Sequence, residues 1–335
     1  MMTRQRRQFR HFSLGLMFFL AGAYLGCQVL APGLPLVGVI QWTEEIASFG
    51  ESRQGVIEGL REEGYQDGLN IRLKVINAAA DRARAADAAH ELQRQGARLL
   101  ITLGTIPTLI ALDVTQIPVV YCTVAAPEST GLGRPAAEPQ PVRFTGTSME
   151  VPAAEQLHFL LLALPGLKRL GILNCADTPQ GVATAQSAQV AAQARDLMVI
   201  REEITDDRPE LLEQAMADLL RQNIEALFLP TDPVLNTPKN LGPICQMAHR
   251  ARIPVMVSSP GLVKIGALLA YHADFAEIGR QAGRQAARLL AGAQPPAVAP
   301  ETPMIKRLSL NLKVAENLNL ELSRKLLSQV DNLYQ

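Results

Sequence analysis

One series of elements occurs twice in this chain, and that doubling limits its possible folds more than any single motif. In the first series, residues 37–41 (VGVIQ) read as a short buried strand running into Trp42-Thr43-Glu44-Glu45. An amphipathic helix follows over 51–63, with Val56, Ile57 and Leu60 on one face and Gly64 as its stop. A strand at 71–76, a helix at 81–95 and a strand at 99–103 (LLITL) come next, the last running into Gly104-Thr105-Ile106-Pro107. A short helix leads to a fourth strand at 117–123 (IPVVYCT), and residues 125–140 read as loop. The second series has strands at 170–173 (LGIL), 197–204, 226–229 (ALFL) and 253–257 (IPVMV), with helices at 180–195 and 209–222. Thr231-Asp232-Pro233 answers Gly104-Thr105-Ile106-Pro107, and even the Ile-Pro-Val entrance to the fourth strand recurs. Right-handed strand–helix–strand crossovers fix the topology of each half. Two such parallel-sheet lobes each present a ligand-facing edge, and facing them together makes a cleft.

A third block closes the chain. Residues 267–271 (ALLAY) read as a strand and 274–291 as a helix, with Asp274 and Glu277 in a capping-box pattern and Gly292 at its end. A Pro/Ala linker over 293–303 precedes a strand at 308–312 (LSLNL) and a helical tail over 315–333.

In an open parallel sheet, ligands bind just beyond the carboxyl ends of the strands. Asp232 stands at such a place, where it either caps a helix beginning near Pro233 or contacts a ligand; the residues alone leave both open. Thr105, Thr108, Thr123, Thr147, Ser148, Thr231, Ser258 and Ser259 also fall at strand ends or crossovers. Helix-start N–H groups there favour a carboxylate. Asp232 would suit an ammonium, through a charge-assisted bond worth roughly 1.5–3 kcal/mol. Trp42, the sole tryptophan, reads either as core at a strand end or as cover for an apolar or cationic ligand face.

The totals narrow the function class. A chain of 335 residues is long enough for two lobes, and 48% apolar with 4% aromatic residues suits helices packed on sheets. Lys plus Arg and Asp plus Glu balance at 32 each, so no basic field exists to hold nucleic acid. No nucleophile elbow, metalloprotease motif or phosphate loop occurs, which argues against an enzyme. No metal site or cofactor is expected. His90, His158 and His249 lie in helical stretches as solvated or packed side chains, and His272 has no assignable partner. Cys122, Cys175 and Cys245 have no metal-ligand spacing and read as small apolar filler.

The first 26 residues have the layout of an export signal. Arg4, Arg6, Arg7 and Arg10 precede the apolar run 12–26, in which only Ser13 is polar. Arg6-Arg7 resembles a twin-arginine signal. Tyr24-Leu25-Gly26-Cys27 resembles a lipoprotein cleavage box that would lipidate Cys27, although Tyr24 is unusual in it; cleavage nearby or an uncleaved anchor are the alternatives.

Over residues 36–320 the chain resembles the ABC-transporter substrate-binding proteins, in the family that includes tryptophan- and phenylalanine-binding lipoproteins. The stretches carrying the resemblance are VGVIQW, VIEGLREEGYQDGLNI, FTGTSM, LGIL, LFLPTD, IPVMVSSPGLVKIGALLAYHADFAEIGRQAG and ETPMIKRLSLNLKVAENLNL. The resemblance implies an α/β fold of type I periplasmic-binding architecture: two Rossmann-like parallel-sheet lobes joined by three crossovers and closing on a small ligand. Residues 34–146 with 262–293 would form lobe 1, and 147–258 with 300–335 lobe 2. The crossovers would fall near Gly146, Thr147 and Ser148, at 258–262 and at 293–303.

Carried over by position, the pocket would draw on Gln41, Trp42, Gly104, Thr105, Thr123, Thr231, Asp232, Ser258 and Ser259. The implied function is an exported receptor that delivers an amino acid or similar zwitterion to an ABC permease, acting as a monomer in the periplasm or on the outer face of the envelope through a lipid at Cys27. Signalling through a membrane sensor kinase is the alternative. Two departures from the family pattern bear on the ligand. Ala126-Pro127 stands where an acid–proline pair is common, and Pro233, Pro238 and Pro243 should delay or break the helix after Asp232.

Overall fold

A computed structural model describes residues 33–132 and 142–335. The export signal over 1–26, Cys27 and part of the 125–140 loop lie outside the described residues.

The first sheet is built from β1 (Leu36–Gln41), β2 (Arg72–Asn77), β3 (Leu99–Leu103), β4 (Val119–Val124) and β5 (Phe144–Ser148), in the order β2-β1-β3-β4-β5. All its pairings are parallel. Helices α1 (Ala47–Glu62), α2 (Arg82–Arg94) and α3 (Thr105–Val114) connect the first four strands. Strands β1, β3 and β4 are buried along their whole length, because helices cover both faces of the sheet. After β5 the chain passes through α4 (Ala153–Ala163) into the second sheet.

That sheet repeats the pattern with β6 (Arg169–Cys175), α5 (Pro179–Gln193), β7 (Met198–Ile204), α6 (Pro209–Arg221), β8 (Ala226–Phe228), α7 (Pro238–Arg250) and β9 (Val255–Val257). A short α8 (Pro260–Ile265), β10 (Leu269–Ala273), a long α9 (Phe275–Leu290) and β11 (Lys306–Asn311) follow. The chain ends with α10 (Leu312–Asn317), α11 (Arg324–Leu327) and β12 (Asn332–Tyr334). The order is β12-β11-β10-β9-β8-β6-β7, and β10 with β11 is antiparallel, so this sheet is mixed. Apolar clusters lie on both faces of each sheet. Cys122, Cys175 and Cys245 are free and buried within them, and burial pushes the Cys245 thiol up to about 12.

Three expectations need correction. Residues 262–273 belong to the second sheet rather than to lobe 1: Leu269 pairs with Met256 on one side and Leu310 on the other. The chain therefore crosses at Ala273–Asp274, where the Asp274 carboxylate caps α9 by accepting from Glu277 N–H at 3.0 Å. The tail over 315–333 is not one helix. Asn319 takes a left-handed φ of 54°, Ser323 caps a new short helix, and the last residues pair with β11. Gly146, Thr147 and Ser148, expected at a crossover, lie inside a fifth strand of the first sheet, Phe144–Ser148. Those three residues also hold the third crossing. Gly146 O accepts from Glu301 N–H at 2.9 Å, Thr147 Oγ1 donates to Gln285 Oε1 at 3.0 Å, and Ser148 N–H donates to Glu301 O at 2.9 Å.

The return of α9 to the first sheet rests on backbone contact with α1. Gly55 and Gly59 on α1 meet Gly279 and Gly283 on α9, each pair one helical turn apart. A Cβ at Gly55 would run into the Ala276 carbonyl, at Gly59 into that of Arg280, at Gly279 into that of Ser52, and at Gly283 into that of Val56. Arg280 bridges to Glu58 at 3.1 Å and Arg284 to Glu62 at 3.1 Å along the seam. We expect Gly59→Ala to lower the unfolding free energy by about 3 kcal/mol through overpacking. Gly50→Ala, in the same helix with nothing near its Cβ position, should instead raise it by about 0.7 kcal/mol. Urea titrations of the two variants check this, and equal responses would mean that the helices separate without penalty.

Candidate functional site

In each sheet, helices leave adjacent strands toward opposite faces at one point, and the loops splay apart there. In the first sheet that point lies between β1 and β3, where Trp42 and Gly104-Thr105 emerge. In the second it lies between β6 and β8, where the 176–178 loop and Thr231-Asp232 emerge. Trp42, Gly104 and Thr105 of the first point and Thr231 and Asp232 of the second line one cavity of about 350 Å³. Thr123 at the end of β4 and Ser258 and Ser259 after β9 complete the wall. Eight of the nine residues expected at the pocket are thus brought together: Trp42, Gly104, Thr105, Thr123, Thr231, Asp232, Ser258 and Ser259.

Gln41 is the exception. It is 1% exposed and does not line the cavity. Its Nε2 donates to Thr43 O at 2.8 Å and its Oε1 accepts from Arg53 at 3.1 Å, so it braces the Trp42 loop from behind.

Gly104 precedes α3 with φ 115°, a region that disfavours side chains, and a Cβ there would press on the Phe49 ring at 3.3 Å. Glycine at this position lets Phe49 and Trp42 approach the strand end and form an apolar floor, with Met149 and Phe275 beside them. Trp42 packs against the first-lobe core and also lines the cavity. Thr123 adopts φ 58° and donates from Oγ1 to Ser52 Oγ at 2.9 Å. Thr105 Oγ1 accepts from Ala125 N–H at 3.2 Å.

Asp232 departs from the expectation of a ligand acid. Its side chain is 1% exposed, and both oxygens are occupied by the chain itself. Oδ2 accepts from Cys175 N–H at 2.7 Å and from Thr178 Oγ1 at 3.3 Å. Oδ1 accepts from Val234 N–H at 2.8 Å and Leu235 N–H at 3.1 Å. The carboxylate therefore staples the two loops of the second switch point together and turns the chain after β8. Burial pushes its pKa up, against the four donors that hold it down. As the prolines suggested, the next helix starts late: α7 begins at Pro238 with Thr237 as its cap, and Pro243 lies inside it.

Asn236 lies in the loop between Asp232 and α7 and was missed from sequence, because only the folded loop turns it inward. Its Nδ2 donates to Pro230 O at 2.9 Å and Ser258 Oγ at 3.1 Å, which leaves Oδ1 buried without a partner beside the cavity. His272 does not line the cavity. It is buried between Ala273 O at 2.7 Å and Ser309 Oγ at 2.9 Å, and burial pushes its pKa down, so it is a neutral brace between β10 and β11. The N-terminal turn of α1, with no side-chain cap, also faces the cavity through Ala47, Ser48 and Phe49.

Asp232→Ala leaves three backbone N–H groups, two of them in buried bonds, without an acceptor, and we expect the ligand-free protein to lose about 3 kcal/mol of stability. Asp232→Asn should be nearly as damaging, because its amide N–H₂ would face another donor. An unchanged melting temperature together with lost ligand binding would return Asp232 to the role of ligand contact.

Comparisons with known proteins place this geometry. A tyrosine-binding protein of Clostridioides difficile is 24% identical over 257 residues, covering 76% of this chain and 72% of that protein. Among solved structures, an ABC domain in complex with L-Trp from Streptococcus pneumonia superposes with a TM-score of 0.79 at 20% identity, covering 90% of this chain and all of that one. The ligand-free, open structure of a substrate-binding protein with adhesive properties from Clostridium difficile gives 0.73 at 21% identity over 90% of this chain and 99% of that one. These likenesses establish the two-lobed fold. The family model described as ABC transporter substrate binding protein matches residues 36–333, nearly the whole chain, and the protein belongs to that family.

Proposed function

We propose that this protein is an exported receptor that closes its two lobes around a free amino acid with a large apolar side chain and presents it to an ABC permease. The observation that carries this reading is the cavity itself. Its floor is apolar, from Trp42, Phe49, Met149 and Phe275, while its rim is polar, from the uncapped start of α1 and from Thr231, Asn236, Ser258 and Ser259. The start of α1 offers backbone N–H donors without a side-chain cap, and the unpartnered Asn236 Oδ1 adds an acceptor to the wall. The aromatic floor suits a ring. A volume of about 350 Å³ lies at the small end of ligand sites, which fits one amino acid better than a larger solute. The relatives that bind tyrosine and L-Trp support the same class. Export and anchoring through Cys27 rest on the sequence pattern alone.

A thermal-shift panel of L-tryptophan, L-tyrosine, L-phenylalanine, L-leucine and two monosaccharides tests the proposal. We expect one or more of the amino acids to stabilise the protein, by about 2.7 kcal/mol at a hundredfold excess over the dissociation constant. Trp42→Ala should weaken that binding by about tenfold, or 1.4 kcal/mol. Stabilisation by the sugars alone would overturn the reading.

A further inference from the structure

The ionic groups around the cavity are few, and they are arranged by lobe. Asp232 is consumed by its four internal donors. Asp274 is consumed by capping α9 and by its 3.1 Å pair with Arg307. Three charged side chains remain on the cavity wall: Glu45 and Glu51 from the first lobe and Lys264 from the second. Among the described residues, none of the three takes part in a side-chain hydrogen bond or ion pair. Glu51 lies on α1, one turn past its uncapped start, and Lys264 lies on α8 of the opposite lobe. Burial pushes the Glu51 carboxyl pKa up, the Lys264 ammonium pulls it back down and Asp274 pushes it up, and no direct bridge joins Glu51 and Lys264. Lys264 Nζ rests 5.2 Å from the centre of the Tyr334 ring, which holds the ammonium at the cavity rim.

We propose that Glu51 and Lys264 form a charge sorter for the ligand, with Glu51 receiving its ammonium from the first lobe and Lys264 its carboxylate from the second as the lobes close. Opposite charges on facing walls complement a zwitterion in one orientation and penalise a ligand that lacks either charge. Both charges line the same cavity as the rings of Trp42 and Phe275, so one ligand can meet the apolar and the charged groups together. Glu45 is exposed, with its backbone N–H tied to Thr43 Oγ1 at 3.2 Å, and has no assigned role in the pair. The proposal rests on the amino-acid reading above and deepens it by naming the two groups that recognise the zwitterion.

Calorimetry on wild type, Glu51→Gln and Lys264→Met tests it with three kinds of probe: L-tryptophan and L-tyrosine, their decarboxylated amines tryptamine and tyramine, and their deaminated propionic acids. Wild type should prefer the amino acid over both analogues by at least about tenfold. Glu51→Gln should lose the preference over the deaminated acid and keep that over the amine, and Lys264→Met should do the reverse. Both side chains are exposed, so the ligand-free melting temperatures should match wild type. Equal weakening of every probe, or no change in any, would overturn the sorter while leaving the amino-acid reading intact. Failure of wild type to bind either amino acid would overturn the reading and the sorter together, and that failure is visible before any variant is made.

Discussion

Everything in the two-lobed arrangement depends on α9 leaving the sheet it has just been connected to. The chain completes β10 in the second sheet, crosses at Asp274, and lays α9 on α1 of the first lobe with backbone against backbone. That contact is possible only because four glycines remove the side chains that would hold the helices apart. Backbone-to-backbone packing leaves little room for sliding, since interiors at crystalline density convert small displacements into lost contact or overlap. The seam therefore fixes where the second crossing ends and the third begins. Glu301 then ties the third crossing to β5 through Gly146 and Ser148, so the connecting segments share one hydrogen-bonded band. A cleft between two lobes can open and close only if its connections are short and held in register, and this band supplies that.

The cavity is a consequence of topology before it is one of side chains. Each sheet has a switch point, one between β1 and β3 and one between β6 and β8, and the band of crossings turns them toward each other. On the second lobe the Asp232 carboxylate holds the two loops of that point together, with four donors that offset part of its desolvation. On the first lobe a backbone bond from Trp42 N–H to Leu103 O at 3.2 Å does the same work without a charge. The lobes are equivalent in plan and different in chemistry. The first supplies the apolar floor and the second most of the hydroxyl and amide rim.

Much of this was legible in the sequence because parallel sheets buried on both faces leave long apolar runs between turn signals. VGVIQ, LLITL and LGIL all lie within strands, and the loops after the first two line the cavity. The losses have a common cause, which is that partners far apart in the chain leave no local trace. The ALLAY run reads the same whether it joins one lobe or the other, and only pairing with Met256 and Leu310 assigns it. Asp232 stood out by position, but its decisive donor, Cys175 N–H, is 57 residues away. The tail has helical periodicity over 315–333, yet the open edge of β11 captures its last residues as a strand. The four-residue spacing of Gly55 and Gly59, and of Gly279 and Gly283, was present in plain text. It acquires meaning only when α1 and α9 are known to touch. Nothing in the sequence marks Glu51 or Lys264, for the same reason.

The central claim is that the lobes move as bodies on the band of crossings and close on a bound ligand. Pulsed electron-spin distance measurement tests it most directly, with labels at Asp87→Cys on α2 and Glu213→Cys on α6 in a Cys27→Ser background. Both positions are exposed, and the three natural cysteines of the described residues are buried. Saturation with the amino acid that stabilises the protein most should shift the distance distribution by several ångströms to one narrower population. The same distribution with and without that ligand, under conditions where calorimetry shows it bound, would contradict closure.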